Sequence, residues 1–188
     1  LRASFKAFND AFAKNVVEVG VDLGETSTFL LDRFTKMNLS MVDRWAVYAD
    51  GDPYKASGDH AAQFNEEQQR QRLCEVIHRI GWAWDRVNLV RKPSVDAAKD
   101  FADGSQDLVF IDSSHLYDAV CEELAAWWPK VRSGGILSGH DYGHPRNYKL
   151  DASGKPFFGV DQAAKEFSAK VGVELEIGQG TVYWFHKS

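Results

Sequence analysis

An aspartate and a histidine lie three residues apart, directly after a short apolar run. Asp112 follows residues 108–111, which read Leu-Val-Phe-Ile, and His115 follows after two serines. A short, continuously apolar run is typical of a parallel strand that is covered on both faces. Because ligands bind beyond the carboxyl ends of such strands, both side chains should share one cleft. An imidazole suits a general base near neutral pH, so His115 is the candidate catalytic residue. The alternative is structural, with Asp112 capping the next helix and His115 packing beside it.

A second histidine and acid, His140 and Asp141, follow the apolar run at residues 136–138. Carboxylates that meet at neighbouring strand ends can hold a hard divalent cation such as Mg²⁺ and leave positions for substrate oxygens. Asp112 and Asp141 are therefore candidate metal ligands. The alternative is that both acids only cap the edge of the sheet.

A glycine turn links the first apolar run to the first amphipathic segment, in the sequence Glu-Val-Gly-Val-Asp-Leu-Gly-Glu-Thr of residues 18–26. Glycines in this place let a ligand approach the backbone closely. The dinucleotide pattern GxGxxG is absent, because Gly20 and Gly24 are separated by Val21, Asp22 and Leu23. The turn therefore disfavours a pyrophosphate and favours a ligand that is cationic or rich in hydroxyls, although glycine turns without a ligand are common.

Asp43 ends the second apolar run. An acid about 20 residues beyond the glycine turn can accept the two hydroxyls of a ribose. Together with the missing pyrophosphate pattern, Asp43 indicates an adenosine ligand without a diphosphate, and S-adenosylmethionine fits that description. The alternative is a solvated aspartate in a turn.

The composition narrows the class of protein. The 188 residues suit one domain over 1–188, and the net charge of −5 gives no basic stripe for nucleic acid. No apolar run is long enough to span a membrane. Two cysteines, Cys74 and Cys121, have neither metal-site nor disulfide spacing, which favours a cytoplasmic protein. A homo-oligomer is left open.

Strand-like runs alternate with amphipathic helical segments along the chain. We expect an α/β fold with a Rossmann-like open sheet, mainly parallel, a C-terminal antiparallel hairpin and helices on both faces. Gly134 and Gly135 should turn the chain into the fifth strand, and the tryptophans at 82, 84, 127 and 128 should lie in the core. The polar connection at 50–59 is a candidate lid. The predicted strands are 15–19, 39–42, 87–90, 108–111, 136–138, 174–177 and 181–185, and the helices 26–36, 61–80, 95–101, 119–128 and 160–171.

Two longer segments carry a family resemblance. Residues 107–120 read DLVFIDSSHLYDAV and residues 127–142 read WWPKVRSGGILSGHDY, while 159–163 read GVDQA. These segments resemble the class I S-adenosylmethionine-dependent methyltransferases, specifically methyltransferase family 24. The resemblance runs from about residue 16 to the end of the chain.

The resemblance implies roles for individual residues around S-adenosylmethionine. The cofactor-binding residues it implies are Glu18, Gly20 and Gly24 in the loop, Thr26 at the helix start, Asp43 at the ribose, Ser94 near the adenine, Trp45 covering it, and Asp112.

Relatives that methylate sugar hydroxyls on macrolides bind Mg²⁺ and use a histidine like His115 as base. They have a glutamate where this chain has His140, so His140 is either a replacement metal ligand beside Asp112 and Asp141, or no metal binds. The resemblance thus implies O-methylation of a hydroxyl on a small molecule or sugar. Three alternatives stay open: a non-catalytic adenosyl-binding partner subunit, an oxidative enzyme similar to the cephalosporin hydroxylases, and, third, a nicotinamide dehydrogenase.

Overall fold

The computed structural model describes residues 14–148, 154 and 158–188. Its centre is a seven-stranded sheet in the order β3-β2-β1-β4-β5-β7-β6. Strands β1 to β5 are parallel, and β7 pairs antiparallel with both β5 and β6. The predicted sheet and its C-terminal antiparallel pair are thereby confirmed. The strands are β1 Asn15–Val19, β2 Asn38–Asp43, β3 Val87–Arg91, β4 Gln106–Ile111, β5 Val131–Gly139, β6 Glu176–Ile177 and β7 Tyr183–His186.

Helices cover both faces of this sheet, as predicted. Alternate residues of a strand point to opposite faces, so Val16 packs against α1 and α3 while Val17 and Val19 pack against α4, α5 and α6. Both layers are apolar, which explains why most residues of the central strands are apolar. The helices are α1 Glu25–Arg33, α2 Pro53–Ala56, α3 Glu66–Ile80, α4 Ser94–Ala98, α5 Tyr117–Trp127 and α6 Val160–Val171, with 3-10 turns at His60–Gln63, Gly81–Arg86, Trp128–Lys130 and Pro145–Tyr148.

Local signals explain where two of the helices begin or end. Asn65 and Gln68 form a reciprocal capping box at the start of α3, an arrangement that supplies about 1 kcal/mol. Gly172 ends α6 in the left-handed conformation, and the bounds of α6 match the prediction. Among the described residues, none of the helices has the length and apolar character needed to cross a membrane.

The prediction that Gly134 and Gly135 form a turn before β5 is wrong. Gly134 and Gly135 lie inside β5, which begins at Val131 directly after the 3-10 turn. A Cβ on Gly135 would lie 2.9 Å from the carbonyl oxygen of Asp107 and 2.8 Å from a side-chain carbon of Val131. The small residue therefore allows β5 to lie against β4 where the register of the two strands shifts.

Two of the four tryptophans are not in the core. Trp82 and Trp84 are 56% and 53% exposed, because the 3-10 turn that carries them directs Ala83 inward instead. Trp127 is fully buried, as predicted. The polar connection predicted at 50–59 contains the short helix α2, and most of the loop after Tyr148 lies outside the described residues.

Candidate active site

The site lies where the connections of the sheet change direction. Strands β1 and β4 are neighbours, but the chain leaves β1 for α1 on one face and β4 for α5 on the other. Such a switch point opens a crevice at the carboxyl ends of the strands. A cavity lies there, lined by residues that follow β1 to β4 and by the segment at 50–64, hereafter the cover segment.

Gly20 makes the crevice geometrically feasible. Its backbone has φ +85°, and a Cβ would lie 2.0 Å from the carbonyl oxygen of Asp112. Only glycine lets the loop after β1 pass this closely to the end of β4. Gly20 lines the cavity, as a cofactor-loop residue should.

Three other predicted loop residues lie behind the cavity rather than on its wall. Gly24 caps α1 in a left-handed conformation against Val76, and Thr26 lies in the first turn of that helix. Glu18 is buried in β1 and accepts a hydrogen bond from the Ser27 hydroxyl. Burial raises the pKa of Glu18 to about 8, with the nearby acids Asp112 and Asp43 adding to the effect. Direct cofactor contacts by Glu18, Gly24 and Thr26 stay predictions.

Asp43 lines the cavity and also stabilises the loops after β1 and β2 through hydrogen bonds to their backbone. Its Oδ2 accepts the backbone N–H groups of Val21 and Asp22, both at 3.0 Å, and its Oδ1 accepts that of Trp45 at 2.8 Å. Since a carboxylate offers about four acceptor sites, room remains for a ribose hydroxyl. Burial raises the pKa of Asp43, while the three backbone hydrogen bonds oppose this rise.

Trp45 supports the cavity from the core. Its side chain is 1% exposed, it packs with the residues of α1 and α3, and its indole N–H donates to the carbonyl of Asp22 at 3.1 Å. Trp45 contributes to the cavity wall, but most of its ring belongs to the core. Its predicted role as a cover over the adenine stays a prediction.

The other end of the cavity is formed where α4 begins. Ser94 is the first residue of α4, and its hydroxyl accepts the indole N–H of Trp127 at 3.0 Å. Ser113 and Glu123 line the same end, and the Tyr54 hydroxyl donates to the carbonyl of Ser113 at 3.4 Å. Sequence reasoning found Ser94 but missed Glu123.

The two predicted acid and histidine pairs do meet at one edge of the sheet. His115 Nε2 lies 2.8 Å from Asp141 Oδ2 and 3.8 Å from Asp112 Oδ1. His115 Nδ1 lies 3.2 Å from Asp59 Oδ2 in the cover segment, a contact that the sequence did not suggest. His140 Nδ1 lies 3.5 Å from Asp112 Oδ1 and 3.4 Å from Asp141 Oδ1.

The ring of His115 is also held by packing. The Phe158 ring lies 4.4 Å from it, centroid to centroid, at an interplanar angle of 31°. The backbone N–H of Gly159 donates to the carbonyl of His115 at 2.7 Å. The residues directly before α6 therefore contact both the ring and the backbone of His115.

Each charge in this cluster stabilises its partners. Burial alone would lower the pKa of His115, but hydrogen bonds to Asp112, Asp141 and Asp59 outweigh burial and raise it to about 11. Hydrogen bonds to Asp112 and Asp141 raise the pKa of His140 to about 10. Burial acts to raise the pKa values of Asp112 and Asp141, yet both histidines hold them below the usual range. The three acids therefore favour the protonated form of both imidazoles.

The donor atoms of the cluster fit a divalent cation. Asp112, His115 and Asp141 offer one ligand atom each, all within 4.8 Å of one another. The two carboxylates suit Mg²⁺, whereas a set that includes an imidazole suits a cation such as Mn²⁺ or Fe²⁺ better. A histidine that binds a cation through Nε2 cannot also remove a proton, so metal binding and base catalysis compete for His115.

Comparison with known proteins identifies the family. A family model described as "Methyltransferase domain", methyltransferase family 24, matches residues 17–142, which is more than half of the chain. No curated protein matches the sequence significantly. Solved structures share the fold at low identity. A protein from Staphylococcus aureus described as a candidate caffeoyl-CoA O-methyltransferase has a TM-score of 0.65 at 11% identity over 94% of this chain and 77% of its own.

Two further structures extend the likeness. A Corynebacterium glutamicum protein has a TM-score of 0.63 at 16% identity, over 97% of this chain and 76% of its own. A candidate O-methyltransferase from Klebsiella pneumoniae has a TM-score of 0.59 at 15% identity, over 94% of this chain and 74% of its own. The matched segment spans the glycine turn, Asp43 and the acid and histidine cluster. The chain therefore belongs to methyltransferase family 24, a family of class I S-adenosylmethionine-dependent methyltransferases.

Proposed function

We propose that this protein transfers the methyl group of S-adenosylmethionine to a hydroxyl of a small molecule or sugar, with His115 as the general base. The observation that carries the proposal is the position of His115 Nε2 beside the carboxylates of Asp112 and Asp141, next to the cavity that suits an adenosyl ligand. The likeness to proteins described as O-methyltransferases favours an oxygen acceptor over nitrogen or carbon.

The transfer is a single in-line displacement. A lone pair of the acceptor oxygen forms the bond to the methyl carbon, while the carbon–sulfur bond breaks and its electrons return to sulfur. The hydroxyl proton goes to His115 Nε2. Holding both reactants in line supplies most of the rate acceleration, and His115 as base adds roughly 10²- to 10⁴-fold.

His115 can act only when Nε2 is free of its proton. The carboxylate of Asp141, whose Oδ2 lies 2.8 Å from Nε2, favours the protonated ring. Asp112 and Asp141, with His140 beside them, would hold a divalent cation, and carboxylates engaged in this way no longer stabilise the imidazolium. When bound, the cation lowers the pKa of the acceptor hydroxyl and stabilises the negative charge that develops on it. Asp59 then keeps Nδ1 as the donor and Nε2 as the acceptor.

The first test measures transfer of tritiated methyl groups from S-adenosylmethionine. The acceptors are 3,4-dihydroxybenzoate, caffeate and methyl α-rhamnopyranoside, each with Mg²⁺, with Mn²⁺ and with a chelator. We expect His115→Gln to lower turnover by roughly 10²- to 10⁴-fold with binding of S-adenosylhomocysteine unchanged.

The control is His144→Gln. The His144 ring lies 5.3 Å from that of Phe158, centroid to centroid, so this variant removes an imidazole next to the same aromatic ring without touching the acids. It should retain most of the turnover. Equal turnover in wild type and His115→Gln would remove His115 from the mechanism.

One observation favours a second candidate function. An imidazole with two carboxylates is a ligand set that also suits Fe²⁺, the metal of an oxidative enzyme similar to the cephalosporin hydroxylases. Tight Fe²⁺ binding together with oxygen-dependent consumption of an acceptor, in the absence of methyl transfer, would support this second function.

A further inference from the structure

A second cavity lies near His115, apart from the one that suits the cofactor. It lies between the 3-10 turn Pro145–Tyr148 and the start of α6, and we call it the α6 pocket. Its volume is about 340 Å³, which is within the range of small-molecule sites. Phe158 lines the pocket, and its ring also lies 4.4 Å from that of His115, centroid to centroid. The pocket and the proposed base therefore share one aromatic side chain.

The α6 pocket contains a buried hydrogen-bond acceptor that has no partner. Asn147 lines the pocket and is only 7% exposed. Its side-chain NH₂ donates to the carbonyl oxygen of Asp141 at 2.8 Å and to Asp161 Oδ1 at 2.7 Å. Because both partners are acceptors, they fix the orientation of the amide, and Oδ1 is left unpaired among the described residues. A ligand that donates a hydrogen bond to this oxygen gains affinity.

The charges around the pocket favour a neutral ligand. Lys165 contributes one ammonium group, whereas Asp161 and Glu166 contribute two carboxyl groups. Both acids already have donors from the same wall, since the Tyr148 hydroxyl donates to Asp161 Oδ2 at 2.7 Å and the Gln162 amide to Glu166 Oε1 at 2.9 Å. An anionic ligand would meet two acids and a single cation, so a ligand that binds through hydroxyls fits better.

Aromatic and polar groups line the pocket in the combination that a sugar requires. Phe158 and Tyr148 offer ring carbons, against which the C–H face of a pyranose can pack. Asn147 Oδ1 can accept from one hydroxyl, and the Lys165 ammonium can donate to the oxygen of another. A polyhydroxylated ring supplies both a donor and an acceptor, whereas a hydrocarbon ring supplies neither.

We propose that the α6 pocket binds a sugar ring of the acceptor, with one hydroxyl of that ring donating to Asn147 Oδ1. The described residues that line the pocket include neither His115 nor the three acids beside it, so the bound ring is not the unit that is methylated. It is a neighbouring unit of the same molecule. This inference rests on the proposed function, because it makes the bound sugar part of a methyl acceptor. The acceptor is then a glycoside rather than a simple phenol.

The test is NMR titration of the isotope-labelled protein in the absence of cofactor. The probe is methyl α-rhamnopyranoside, and the matched control probe is 2-methoxytetrahydropyran, which has the same type of ring and no hydroxyl. The sugar should shift the side-chain amide signals of Asn147 and the backbone signals of Lys165. It should bind roughly 10-fold more tightly than the control probe, the effect of one buried hydrogen bond.

Three variants locate the site. Asn147→Ala removes the unpaired acceptor and should weaken binding of the sugar by roughly 10-fold. Lys165→Met keeps most of the side-chain stem but removes the ammonium, and it should weaken binding by about 3- to 10-fold. Lys170→Met makes the same change at an exposed lysine of α6 that does not line the pocket, and it should retain the wild-type affinity.

The outcomes separate this inference from the proposed function. No binding of the sugar, equal affinity for the two probes, or equal affinities of Lys165→Met and Lys170→Met would overturn the inference, whatever the protein does with S-adenosylhomocysteine. If Asn147→Ala does not fold, the two probes and the lysine variants decide. Failure of the folded protein to bind S-adenosylhomocysteine would overturn the proposed function, and with it the assignment of the sugar to a methyl acceptor.

Discussion

The acidic residues of the site divide into two groups with opposite titration behaviour. Asp59, Asp112 and Asp141 have imidazole partners that hold their pKa values below the usual range. Glu18 and Glu123 are buried, and burial raises their pKa values to about 8 and about 7. The imidazoles thus favour the ionised form of the first group, whereas burial favours the protonated form of the second.

Glu18 makes the stability of the fold depend on pH. Burial raises the pKa of Glu18 from 4.5 to about 8, so between these values the folded state binds a proton that the unfolded state lacks. The free energy of unfolding must therefore fall as pH rises through this window. We expect Glu18→Gln, which keeps an acceptor for Ser27, to have a free energy of unfolding higher than that of wild type at pH 9 by on the order of 1–3 kcal/mol. The variant should therefore unfold at a higher temperature.

Thermal unfolding measured from about pH 5 to about pH 9 checks the Glu18 prediction, because this range covers the window in which the folded and unfolded states differ in bound protons. Glu25→Gln is the control, because Glu25 is an exposed acid in the first turn of α1 and its loss should leave the slope with pH unchanged. Parallel curves for wild type and Glu18→Gln would show that Glu18 does not bind the proton.

At the scale of elements, the cover segment lines the candidate cofactor cavity and also contacts His115. Asp52 caps α2 by accepting the N–H of Tyr54, and Asp59 caps the following 3-10 turn by accepting the N–H of Ala61. The second oxygen of Asp59 reaches His115 at 3.2 Å. The segment predicted as a polar connection and candidate lid thus places Asp59 beside His115, and its opening and closing as a lid stays a prediction.

The contact of Asp59 with His115 can be tested separately from the cap that Asp59 provides within the cover segment. Asp59→Asn keeps an oxygen for the cap but removes the charge that orients His115. We expect turnover to fall roughly 10- to 100-fold with little change in KM, because the loss is confined to the base. Asp59→Glu should restore part of the activity.

Asp52→Asn is the matched variant, since it makes the same change at the other cap of the cover segment. It should leave turnover within about two-fold of wild type, because surface substitutions away from the site have small effects. An equal loss of turnover in both variants would assign Asp59 a structural role only.

The elements also show which features could be predicted from sequence. Patterns of apolar residues gave β1 and α6 with correct bounds, because those signals are local. They also gave Asp112, His115 and Asp141, since residues after neighbouring parallel strands must lie at one edge. Asp59 is 56 positions from His115 in the sequence, and Glu123 lies within α5 rather than directly after a strand. No local pattern therefore places either residue at the site. The turn predicted at Gly134 and Gly135 is wrong, because glycine is favoured both in turns and where two strands approach closely.

At the scale of the whole molecule, the sheet order brings every part of the site to one edge. The crossing between β1 and β4 opens the cavity, β2 supplies Asp43, and β5 delivers His140 and Asp141 beside the cavity. The antiparallel β7 follows Thr181, whose hydroxyl lies 3.0 Å from His140 Nε2. The fold thus places the candidate cofactor cavity beside His115, the proposed general base.

Calorimetric titration with S-adenosylhomocysteine, using NAD as the control ligand, tests the central claim most directly. Because it needs no acceptor, it separates the cofactor class from the unknown substrate. The structure predicts micromolar binding of S-adenosylhomocysteine and no measurable binding of NAD, since the loop after β1 lacks the pyrophosphate pattern. Folded protein that binds NAD more tightly, or that binds neither ligand, would contradict the account.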